Sequence, residues 1–86
     1  VHTHNPEKAK DREAILKLHA RKIICRTGFD WEMVSSLDEV ENSSGADLAN
    51  IVNEGALIAV RNRRAAMREA DVVQAARNQF ESRLLN

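Results

Sequence analysis

The residues best suited to chemistry stand together at Ser44-Gly45-Ala46-Asp47-Leu48. A serine, two small residues and an acid ahead of a periodic apolar run read as a helix start. Ser44 is expected to accept from the Asp47 amide while the Asp47 carboxylate accepts from the Ser44 amide, a capping box. The start of a helix presents unpaired amides and a positive dipole end. Gly45 has no Cβ, so a flat ring or a phosphate can approach the backbone there, and Ala46 adds a small apolar contact. Taken alone, the pattern describes a well-capped helix.

Other candidate chemistry is thin. Cys25 is the only cysteine. It cannot form an internal disulfide, which fits a reducing compartment, and beside Ile23-Ile24 it reads as a packed thiol. No Cys and His set has zinc spacing, so no metal ligands are assigned. His2 and His4 sit in a polar terminus, residues 1–5, expected to be disordered or artificial. Arg61, Arg64 and Arg68 follow i, i+3, i+7, and a continuous helix would put them on one face. No glycine-rich phosphate loop ends in Lys and Ser or Thr, and no apolar strand ends in paired acids for Mg²⁺. Hydrolysis of a nucleotide needs those parts, so none is expected of these residues alone.

The elements that must position these residues are helical. The chain of 86 residues is rich in alanine, with one proline and three glycines. Pro6 suits a first helical turn. A helix is predicted from Glu7 to about Lys22, with Ile15, Leu16, Leu18, Ile23 and Ile24 as apolar positions and Glu13–Lys17 as an i,i+4 pair. Gly28 is its left-handed stop. Asp30 caps a second helix, Trp31 to about Glu39, with Met33, Val34, Leu37 and Val40 inward. The third, Gly45 to about Arg63, carries Leu48, Ile51, Val52, Ala56, Ala59 and Val60 and is the central helix. Gly55 on that stripe allows another element to come close. The last helix spans roughly Glu69 to Leu85, with Val72, Val73, Ala76, Phe80 and Leu84 inward. Short connections make this an all-α, antiparallel four-helix bundle.

Thirteen basic and thirteen acidic residues give a net charge of zero. Their order is uneven: residues 1–26 carry +4, residues 27–60 carry −7, and residues 61–86 carry +3. A zero total with an acidic middle argues against nucleic acid and for a protein partner. No apolar run approaches the ~20 residues of a membrane helix.

The combination Ile15-Leu16-Lys17-Leu18-His19, Ser44 to Leu48, Asn53-Glu54-Gly55-Ala56-Leu57, Ala59-Val60-Arg61 and Ala70-Asp71-Val72 resembles the C-terminal helical lid of AAA ATPases over about residues 6–80. The stretch from Ala46 to Arg61 is similar to both proteasomal regulatory ATPases and membrane-anchored AAA metalloproteases. Thr27 to Glu32 and Glu81 to Leu85 look more like the proteasomal branch, which is placed first. The resemblance implies a lid domain over residues 6–86. It implies that His19 hydrogen-bonds the ribose of ATP or ADP, that Gly45 and Ala46 pack on adenine, and that Ile15 walls the pocket. It also implies neighbouring subunits in a hexameric ring, with the proteasome core or assembly chaperones as further partners, and a cytoplasmic or nuclear location. Arg61, Arg64 and Arg68 are placed as partner contacts. Where the family usually has alanine this chain has Gly55, and where it often has threonine ahead of the last helix this chain has Arg68. A free-standing helical interaction module is the alternative from a different class.

Overall fold

The computed structural model describes residues 8–85, so the readings of His2, His4 and Pro6 lie outside the described residues. Four helices follow in order: α1 (Ala9–Ala20), α2 (Trp31–Ser35), α3 (Gly45–Arg61) and α4 (Glu69–Leu85). They form the small all-helical bundle that the composition predicts. The local signals act as expected. The Glu13–Lys17 pair closes at 3.1 Å. Gly28 takes a φ of +76°, and the Met33 amide donates to the Asp30 carboxylate at 3.0 Å.

α2 stops four residues short of its predicted end. The Ser35 and Ser36 hydroxyls both donate to the Glu32 carbonyl at 2.9 Å. Serines that bond locally offer the backbone an alternative to the helix ladder. A run of i→i+3 turns follows, with Leu37 donating to Val34, Val40 to Leu37 and Ser43 to Val40. Val40 stays fully buried at the end of this run.

The core is narrower than the apolar positions suggested. α1 packs on α2 and α3, and its buried line is Arg12, Leu16 and Ala20. α3 contributes Leu48, Ile51, Val52, Gly55 and Ala59, and α4 contributes Val72, Ala75 and Ala76. Leu18, Ile24, Met33, Val60, Phe80 and Leu84, expected inward, are exposed. Leu18 is two residues from Leu16, about 200° around the helix, and so faces away from both partners. Val60 is one step off the Ala59 line. Phe80 and Leu84 lie beyond the half of α4 whose side chains are buried.

α3 and α4 form the most extensive helix pair. Gly55 makes their approach possible: a Cβ there would lie 3.1 Å from Val72 Cγ2, 3.3 Å from the Met67 sulfur and 3.3 Å from Val72 Cα. Arg12 secures the other side. Its guanidinium is buried, donating to the Ser35 carbonyl at 3.0 Å and the Glu41 carbonyl at 3.3 Å.

The connectors are tied to each other. The Arg26 amide donates to the Met67 carbonyl at 2.9 Å, and the Met67 amide donates to the Ile24 carbonyl at 2.8 Å. Met67, in the connection between α3 and α4, is fully buried. Beside this bridge, Arg26 Nε and Nη2 donate to the two Glu69 oxygens at 2.8 and 2.5 Å, and the Asp30 amide adds a 2.8 Å bond. The Arg26 hydrogen bond is the main reason the Glu69 carboxyl is lowered to about 2.

Two outcomes follow. Gly55→Leu overpacks the α3–α4 contact and is expected to cost about 2–3 kcal/mol in chemical denaturation; an unchanged midpoint counts against the close approach. A carboxyl whose folded pKa is depressed contributes stability that is full above its unfolded value and fades below it. For Glu69 that window runs from about pH 4.5 down to about pH 2. Glu69→Gln is therefore expected to lower the melting temperature at pH 7 and to flatten its decline between pH 4.5 and 2.5. A parallel decline in both proteins contradicts this role.

Candidate functional site

The capping box forms as read from sequence. The Asp47 amide donates to Ser44 Oγ at 3.1 Å, and the Ser44 amide donates to Asp47 Oδ2 at 2.9 Å. Asp47 also pairs with Arg83 near the end of α4. Burial pushes the Asp47 carboxyl up, but the hydrogen bonds from Arg83 and Ser44 outweigh it, and the group sits below its usual range. The Ser44 hydroxyl and the Asp47 carboxylate are thus committed to the fold. What remains for a ligand in this turn is backbone and the small residues. A Cβ built on Gly45 meets nothing within 4 Å, so the approach to its main chain is open. Ala46 beside it is exposed.

α1 carries the other two candidates. Ile15 and His19 are four residues apart and share a face. Ile15 is half-buried against the core, and His19 is exposed with no side-chain hydrogen bond among the described residues. An ordinary bundle histidine would be packed and bonded; this one is neither. α1 packs against α3. The bond from Arg12 to the Glu41 carbonyl sets the first turn of α1 beside the segment that leads into Ser44. His19 lies about 10 Å further along the α1 axis from Arg12. The structure therefore puts Ile15 and His19 on one helix face and Gly45 and Ala46 at the start of the neighbouring helix, with no direct bond between the two pairs.

Arg61, Arg64 and Arg68 do not form one face, because the helix is not continuous. α3 ends at Arg61, which lies 3.6 Å from Glu54. Asn62 and Arg63 close it in a Schellman turn: the Arg63 amide donates to the Val60 carbonyl and the Arg64 amide to the Ala59 carbonyl, both at 2.9 Å. Arg63 takes a φ of +57°, which costs a side-chain-bearing residue about 1–2 kcal/mol. Arg64 turns inward onto Asp71, a carboxylate with only 1% of its surface exposed. Arg64 is thus a structural cation, and reversing its charge would bury two acids together. Arg68 stands at the N-cap of α4, its carbonyl accepting from the Asp71 and Val72 amides. It has no side chain able to cap, and Asp71 compensates by accepting from the Arg68 amide at 2.9 Å.

Sequence reasoning missed Arg12 and Asp71. An acid three residues after an N-cap is a signal that could have marked Asp71. Nothing in the sequence marks Arg12, since its acceptors are main-chain carbonyls 23 and 29 residues away. No group of three or more His, Cys, Asp or Glu among the described residues could hold a metal ion, and no described helix is long and apolar enough to cross a membrane.

Comparison with known proteins gives this small all-helical bundle its relatives. The chain is 42% identical over 72 residues to the ATP-dependent zinc metalloprotease FtsH 2 of Sorangium cellulosum, covering 84% of this chain and 11% of that protein. It is 43% identical over 82 residues to the ATP-dependent zinc metalloprotease FtsH of Methylococcus capsulatus, covering 90% of this chain and 13% of that protein. The chain spans about a tenth of the length of these curated relatives. No family model matches it. The relatives support an AAA ATPase lid and the metalloprotease branch. The proteasomal branch, placed first on Thr27 to Glu32 and Glu81 to Leu85, is not supported, and its proteasome partners go with it. The cytoplasmic or nuclear location is overturned as well: it rested on that branch and on one cysteine, and the relatives are ATP-dependent zinc metalloproteases instead.

Proposed function

We propose that this chain is the helical lid of an FtsH-like AAA protease, closing over the adenine and ribose of ATP or ADP bound by the rest of that protein. The observation that carries the reading is the 43% identity across 90% of the chain. The geometry is compatible with it. His19 has an exposed ring with no internal partner and can donate to a ribose hydroxyl. Gly45 leaves its backbone open to a flat ring, Ala46 supplies a methyl for the adenine face, and Ile15 gives an apolar wall. A nucleotide site of this kind needs apolar surfaces and a few well-placed polar groups. The phosphates and the metal chemistry of hydrolysis and proteolysis would be handled outside these residues.

Such a lid changes angle with nucleotide state and passes that motion to neighbouring subunits of a hexameric ring, a hinge-type transition. Arg61 and Arg68 remain available for subunit contact in that arrangement, whereas Arg64 does not.

The test uses the full-length protein. His19→Ala is expected to weaken ADP binding about tenfold, the value of one well-made hydrogen bond to a ligand, and to leave the melting temperature within a few degrees. Gly45→Val is expected to weaken binding further by filling the open approach. Unchanged affinity in both variants, or an upstream sequence without a phosphate loop, overturns the reading.

A further inference from the structure

Two arginines occupy positions that local backbone rules would give to other residues. Arg63 holds the left-handed position after α3, where glycine is unstrained. Arg68 holds the N-cap of α4, where Ser, Thr, Asp or Asn would cap. Both are exposed, and neither has an ion-pair or side-chain hydrogen-bond partner among the described residues. Both line the same cavity of about 670 Å³, together with Arg26, Arg64, Ala65 and Ala66. Departures from local rules are expected at functional or strained sites, and here two of them converge on one place.

We propose that this four-arginine cup binds an acidic peptide segment, with several neighbouring carboxylates seated on its guanidinium groups. Arg26 and Arg64 are already oriented by Glu69 and Asp71. They form the fixed wall of the cup, while Arg63 and Arg68 bring the unneutralised charge. Planar guanidinium groups pair with carboxylates through two parallel bonds. The cup is larger than a single anion requires, and its Ala65–Ala66 side leaves room for a peptide chain. A phosphate cradle would use main-chain amides at the start of α4. Here the Arg68 amide is already bonded to Asp71, and the cationic groups lining the cup are arginine side chains. This inference does not depend on the lid reading.

The experiment titrates the 86-residue chain into fluorescein-labelled hexaglutamate at low salt and follows anisotropy. Arg63→Gly and Arg68→Ser are the informative variants because each restores the locally preferred residue. Each is expected to lower affinity about tenfold while raising the melting temperature by about 4–8 °C. Loss of binding thus cannot be loss of fold. Lys10→Ser removes one charge at the opposite end of α1 from the Arg26 loop and is expected to change affinity less than twofold. Binding should also weaken as salt rises. The proposal is overturned by no binding of the parent chain, by affinity unchanged from the parent in Arg63→Gly and Arg68→Ser, or by a loss in Lys10→Ser as large as theirs. It is also overturned if tripolyphosphate displaces the peptide at concentrations well below those of unlabelled hexaglutamate, which would make the cup a phosphate site.

Discussion

The pair of main-chain hydrogen bonds between Ile24–Arg26 and Met67 is the constraint on which the rest of the bundle depends. Four short helices in a chain of this size bury few large side chains, and a domain this small is only marginally stable. Bonding the connector after α1 to the connector before α4 joins residues about forty apart in sequence. It fixes how the α1–α2 half sits on the α3–α4 half. Met67 brings its side chain into the core at the same point, against the gap left by Gly55. Glu69 then ties Arg26 and the start of α2 to the start of α4. The placement of the α1–α2 half against the α3–α4 half follows from this knot.

The charge blocks acquire a meaning in three dimensions. The acidic middle is not one solvated face waiting for a partner. Basic residues from the rest of the chain fold onto it: Arg83 pairs with Asp47, Arg77 lies 3.7 Å from Glu39, and Arg61 lies 3.6 Å from Glu54. Exposed pairs of this kind add little stability, but they cancel much of the acidic field. The cup of Arg26, Arg63, Arg64 and Arg68 is different. Four cations meet there against Glu69 and Asp71, leaving a local excess of positive charge. The same neutral chain therefore contains a balanced body and one unbalanced spot.

The start of α3 shows why a motif and a site are separable. Ser44 and Asp47, its most reactive-looking members, are spent on each other, and Asp47 on Arg83 besides. Gly45 and Ala46, which carry no functional group, are the ones left open. Any ligand here is met by shape and backbone, and its polar contact must come from another helix. His19 is a residue of suitable chemistry without a competing partner.

The sequence by itself determined the helices whose signals are local. The Asp30 cap, the Ser44–Asp47 capping box and the Gly28 turn depend on residues within a few positions of each other, so their physics is complete in a short window. Gly55 was legible too, because a glycine on an otherwise apolar stripe has little to offer except closeness. Only the tertiary structure decided which apolar residues are buried, since each helix face needs a neighbour to cover it, and Val60, Phe80 and Leu84 have none among the described residues that does so fully. It also decided the buried roles of Arg12 and Asp71 and the meeting of four arginines in one cup. The Arg12 bonds and the arginine cup join residues up to about forty positions apart, and no local pattern encodes such distances; for Asp71 a local cap signal was present, but its burial against Arg64 was not in it.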